Sequence, residues 1–146
     1  MICDMRRIVI DTSVVATALR SAKGAGNALL RRVAHGQVRP LVTPALFLEY
    51  EDVLKRSEQR SVTGLSLEAI DRFLSALASA CEGVEVHFQW RPQLRDAADE
   101  MVLETAINGR ADALVTYNVK DFVIASDRFG LRVLRPGDFL KELNDE

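Results

Sequence analysis

Short apolar runs that stop at a polar residue set the strongest limit on how this chain can fold. Residues 7–10 (RIVI) end at Asp11, residues 39–42 end at Thr43-Pro44, and residues 113–116 (ALVT) lead into Tyr117-Asn118. Runs of this length, rich in branched aliphatic residues, read as strands buried on both faces. Helical patterns lie between them. Residues 12–19 form the first. Gly24 and Gly26 interrupt, and a second helix covers 27–35 and stops at Gly36. Pro44 suits the first turn of a third helix with Thr43 as its cap, and Leu46, Tyr50, Val53 and Leu54 recur at helical spacing.

Further along, 57–65 is polar and reads as a loop. Ser66 caps an amphipathic helix whose stripe is Leu67, Ile70, Phe73, Leu74, Leu77 and Cys81. Residues 84–88 alternate like a strand that includes His87, and Pro92 marks a loop. A helix covers 96–108, with Met101, Val102 and Ala106 turned inward and Gly109 ending it. A last strand at 131–134 precedes a short helix after Pro136. Strands and helices in alternation predict an α/β fold: a three-layer α/β/α sandwich around a mainly parallel sheet of about five strands. Residues 1–146 read as one domain, with 1–6 as a frayed leader.

Composition removes several function classes. With 48% hydrophobic and 27% charged residues the chain is globular rather than disordered. It has no apolar run near the ~18–20 residues that span a bilayer. The first residues lack the apolar core of a signal peptide, so the expected location is cytoplasmic. Cys3 and Cys81 form no metal-binding pattern, and Cys81 reads as a small buried hydrophobe. The net charge is −2, but residues 1–60 carry +4 and residues 61–146 carry −6. An acidic half that binds a polyanion needs cations as intermediaries.

The acids fall in places that converge. In an open α/β sheet, ligands gather beyond the carboxyl ends of the strands. Asp11 and the segment carrying Asn118 and Asp121 directly follow strands. Asp99 lies in the first turn of a helix that starts on that side, and Glu49 lies early in the helix after the second strand. Grouped carboxylates repel, burial raises their pKa values, and a hard divalent cation relieves both effects. A cation so placed suits phosphodiester hydrolysis. Each acid also has a plain structural reading. Asp11 and Asp96 are helix caps, Asp99 favours a helix dipole, Glu49 is a solvated edge residue, and Asp121 belongs to a turn.

Taken together, these segments resemble the PIN-domain family. The opening IVIDTS with Asp11 is similar to the family's first motif. LFLEYEDVLKR carries Glu49 at the matching place, DAADEMVLETA carries Asp99, and TYNVKDF matches a closing T-x-N-x-x-D-F pattern. The similarity is greatest to the toxins of bacterial toxin–antitoxin pairs in the VapC-related branch. It implies a Mg²⁺- or Mn²⁺-dependent endoribonuclease, often a homodimer, held inactive by a cognate antitoxin protein. By this resemblance Asp11, Glu49, Asp99 and Asp121 are metal ligands and catalytic. Thr12, Ser13, Thr116 and Asn118 would steady them by hydrogen bonds.

Some members have Asp where Asn118 stands, so one firmly held ion is expected, with Asp121 supplying the fourth acid. Arg31, Arg32 and Arg39 are candidates for holding the RNA backbone, or form a solvated face or an antitoxin contact. A haloacid-dehalogenase type of phosphotransfer needs a second Asp two residues after the first, where Ser13 stands. The rival of another class is a catalytically silent PIN-like module that binds protein or RNA.

Overall fold

The computed structural model describes residues 5–87 and 94–145. The strands are β1 (Arg6–Ile10), β2 (Val38–Val42), β3 (Glu82–Gly83), β4 (Ala113–Val115) and β5 (Val133–Leu134). They form one sheet in the order β3-β2-β1-β4-β5, and every pairing is parallel. The helices are α1 (Thr12–Arg20), α2 (Ala25–Ala34), α3 (Pro44–Leu54), α4 (Ser57–Thr63), α5 (Leu67–Ala80), α6 (Ala97–Gly109), α7 (Val123–Phe129) and α8 (Pro136–Asn144), with a 3₁₀ turn at Val119–Phe122. They flank the sheet in a three-layer α/β/α arrangement. Among the described residues no helix is long and apolar enough to cross a membrane.

The apolar runs become the middle of the sheet. Ile8, Val9, Ile10, Ala113, Leu114 and Val115 are at most 1% exposed, as strands covered on both faces must be. Pro40 sits within β2, yet the β3 ladder begins only at Leu41. At Pro40 the strand therefore has one neighbour, which spares a ladder that a proline cannot serve. From β1 the chain builds outward to β2 and β3, then returns to the other side for β4 and β5. The carboxyl ends of β1 and β4 flank that reversal, the place where ligands gather in such sheets.

The structure departs from the sequence reading in several places. The polar stretch 57–65 is not a loop but contains α4. This helix is anchored by a buried polar group: Gln59 is 3% exposed, donates Nε2–H to the Ala16 carbonyl at 2.8 Å, and accepts from Arg20 Nε at 2.5 Å. The alternating stretch 84–88 is not the third strand. Pairing with β2 falls one turn earlier, at Glu82–Gly83, and ends with Val84 N–H on the Val42 carbonyl. His87 is outside any strand, and Phe88 and Pro92 lie outside the described residues. Leu67 is exposed rather than on the buried stripe of α5. Cys81 caps α5, half-buried, with burial pushing its thiol up to about 11; Cys3 lies outside the described residues. Gly109 belongs to the last turn of α6, and the left-handed residue is Arg110 (φ 51°). A Cβ on Gly109 would stand 2.9 Å from Leu41 Cδ1, so the glycine serves close packing of helix on strand.

Candidate active site

Asp11 is the residue at which β1 ends and α1 begins. It is 5% exposed, and its backbone N–H donates to the Val115 carbonyl of β4 at 2.9 Å. Its side chain does not cap α1. Instead Oδ2 accepts two hydroxyl hydrogen bonds, from Ser13 Oγ at 2.9 Å and from Thr116 Oγ1 at 2.7 Å. Thr116 Oγ1 in turn accepts the Asn118 N–H at 2.9 Å, which ties the loop after β4 to the same carboxylate. Two donors on one oxygen fix the plane of the carboxylate and leave Oδ1 free of any donor among the described residues. Thr12 behaves differently from Ser13: its Oγ1 is buried and meets no partner among the described residues.

Glu49 stands in the second turn of α3, half-buried. Its helix starts where the sequence indicates, with Thr43 Oγ1 accepting Leu46 N–H at 3.2 Å and Pro44 in the first turn. Thr43 Oγ1 also lies 3.0 Å from Thr105 Oγ1, whose hydroxyl donates to the Met101 carbonyl. This buried hydroxyl pair joins the helix of Glu49 to α6, the helix of Asp99. Asp96 Oδ1 caps α6 by accepting Ala98 N–H at 2.8 Å. Asp99, Asp96 and Asp121 line one cavity of about 420 Å³ with Leu94, Arg95 and Ile124. Ile124 is 63% exposed on the rim of this cavity.

The electrostatics of this rim are those of acids in excess of nearby cations. Asp99 is pushed up from 3.8 to about 6, chiefly by burial and then by the charges of Asp11, Asp96 and Asp121. Glu49 is raised by burial and by Asp52, Asp96 and Asp11, with Arg56 partly opposing. Asp11 and Asp96 therefore act on both raised groups. Sequence reasoning treated Asp96 as a cap; the structure places it both as cap and as a wall of the acid cavity. A cap signal cannot separate those roles.

Arg31 and Arg32 lie elsewhere, in the last turn of α2, and Arg39 lies near the start of β2. Arg32 donates to Gln37 and Asn144, and Arg39 pairs with Glu82. The topology does not bring these arginines together with the acids.

The donor set fits a hard divalent cation in its chemistry: every candidate ligand is an oxygen, and two carboxylates are held in a state that added positive charge would relieve. Among the described residues, however, no three Asp, Glu, His or Cys side chains stand close enough to form a ready-made cage.

The chain is thus an all-parallel α/β fold with Asp11 buried at its topological switch point and Asp96, Asp99 and Asp121 lining an open cavity on the same rim. A family model for the PIN domain matches residues 7–120, and the chain belongs to that family, a nuclease-type fold. The match takes in Asp11, Glu49, Asp99, Thr116 and Asn118 and ends one residue before Asp121. No curated protein matches the chain.

Proposed function

We infer that the chain is a Mg²⁺- or Mn²⁺-dependent endoribonuclease, acting in the cytoplasm as the toxin of a toxin–antitoxin pair. The observation that carries this reading is the grouping of acids at the carboxyl end of the sheet: Asp96, Asp99 and Asp121 line one cavity, and partial burial together with the charges of Asp11, Asp96 and Asp121 pushes Asp99 up to about 6. Membership of a nuclease-type family supports it. Asp11, Glu49 and Asp99 would hold the cation, with Asp121 as the fourth acid and Asn118 as a neutral neighbour. When bound, the cation supplies Lewis acidity, neutralising phosphate charge and acidifying water.

The chain's own residues do the rest. Ser13 and Thr116 hold Asp11 Oδ2, which leaves Oδ1 without a donor among the described residues and open to a cation. The Asn118 backbone N–H is held by Thr116, and its uncharged amide stands where a fifth carboxylate would add repulsion. Arg95 on the wall of the cavity beside Asp99 suits a phosphate. Arg31, Arg32 and Arg39, toward the opposite end of the sheet, would meet only RNA running well beyond the cleavage point, or the antitoxin.

The test is cleavage of single-stranded RNA with and without Mg²⁺ or Mn²⁺. Asp11→Asn and Asp99→Asn are expected to abolish cleavage while the circular dichroism spectrum is kept. Cleavage undiminished in both would overturn the site. Metal-independent inertness of the parent chain would favour the silent binding module. For the toxin role, a small antitoxin encoded next to this gene should bind the chain, itself a homodimer in this reading, and block cleavage.

A further inference from the structure

Tyr50 recurs with Leu46 and Leu54 at helical spacing along α3, and its ring is buried at 2% exposure. Burial obliges its hydroxyl to find an acceptor, and the acceptor it finds lies beside the acid rim. It donates to the Ile10 carbonyl at 2.5 Å, across forty positions of sequence. Ile10 directly precedes Asp11. The Asp11 N–H of that same peptide group donates to the Val115 carbonyl at 2.9 Å. Both polar atoms of the Ile10–Asp11 peptide are thus engaged, one from β4 and one from α3. Tyr50 is also the neighbour of Glu49, so the helix that offers Glu49 is the helix that grips the strand end offering Asp11. The ring is itself oriented by Phe47, edge on at 6.3 Å and 65°.

We propose that Tyr50 is a positioning residue: its hydrogen bond to the Ile10 carbonyl sets the spacing between Asp11 and Glu49 that cation binding requires. The inference rests on the proposed cation-dependent reading of the rim and deepens it. A carboxylate pair that must close on one ion gains affinity when its spacing is fixed beforehand, because less freedom is lost on binding. α3 sliding or turning by a fraction of an ångström would move Glu49 but not Asp11, since Asp11 is held separately by β4, Ser13 and Thr116. The hydroxyl of Tyr50 couples the two, and the buried Thr43–Thr105 pair makes the equivalent join to the helix of Asp99.

Tyr50→Phe keeps the ring and deletes the tie. Mn²⁺ binding to the purified protein is measured by calorimetry, alongside kcat and KM for a single-stranded RNA, below the melting temperature of every variant. Ile70→Val, buried in α5 away from the rim, serves as a control for lost packing. Tyr50→Phe is expected to weaken Mn²⁺ binding about tenfold, the lower end of what outer partners of metal ligands cost. Its kcat should fall with KM for RNA unchanged, whereas Ile70→Val changes neither. Parent-like Mn²⁺ affinity in Tyr50→Phe, with binding lost in Asp11→Asn, would overturn the role of Tyr50 alone. Parent-like affinity in Asp11→Asn as well would overturn the metal reading and this inference with it.

Discussion

The two ends of the sheet use the same residue types in opposite electrostatic states. Toward the amino end, acids meet guanidinium groups. Glu82 accepts from Arg7 at 2.6 Å and lies 3.8 Å from Arg39, and Glu142 pairs with Arg132 and Arg6. The Arg7 hydrogen bond holds Glu82 below the usual carboxylate range, and Arg132 does the same for Glu142. At the carboxyl end, Asp99 and Glu49 are raised, by burial first and by other acids second. Paired charges of the first kind hold elements in register. Half-buried acids that face one another cost stability, a pattern that fits the proposed ligand site better than a role in folding.

The largest expected effect breaks this comparison at the carboxyl end. Asp11→Asn or Asp99→Asn should lower metal-dependent RNA cleavage by more than the ~10–100-fold typical of outer partners. Glu82→Gln should leave cleavage per folded molecule unchanged. Next comes Thr116→Val, which removes one of two donors to Asp11 and one acceptor of Asn118. It should cost about tenfold in Mn²⁺ affinity by calorimetry; no change would mean that Ser13 alone orients Asp11.

Smaller effects concern stability and pH. Asp99 has a raised pKa, so its contribution is most favourable below the unfolded value of 3.8 and declines as pH rises toward about 6. Cation-free Asp99→Asn should therefore melt higher than the parent at pH 7. Glu82 is lowered, so its contribution is present above 4.5 and is lost as pH falls through its folded value. Glu82→Gln should lower the melting temperature by about 2–4 °C at neutral pH, the scale of a partly exposed pair worth ~1 kcal/mol or less. An NMR titration should give Asp99 a midpoint near 6, and Asp11→Asn should lower it by removing one of the charges that raise it. An unmoved midpoint would show that the charge of Asp11 does not contribute to it.

Much of the frame was legible in the chain. The runs at 7–10 and 113–116 announced central strands, and Thr43, Ser66 and Asp96 announced helix starts that their side chains make by hydrogen bonds. What escaped was held by contacts without local periodicity. α4 has no apolar stripe because its anchor is Gln59, a buried amide. α7 was not read because its first residues, Val123 and Ile124, are exposed, contrary to any amphipathic pattern. β3 was displaced because alternation at 84–88 is a property of side chains, whereas pairing with β2 is set by where α5 ends. In the candidate site, Ser13 and Thr116 reach Asp11 as nearby hydroxyls should, while Thr12 does not. The tie from Tyr50 joins residues forty apart, and its tyrosine looks like any other core ring in the sequence.

The most direct measurement is a map of where Mn²⁺ sits, read from paramagnetic broadening of backbone amides as Mn²⁺ is added below one equivalent. The account predicts that amides around Asp11, Glu49, Asp99 and residues 118–121 broaden first, while those of Glu82 and Glu142 stay sharp. Broadening centred on Glu82 or Glu142, or spread evenly over the acidic surface, would contradict it.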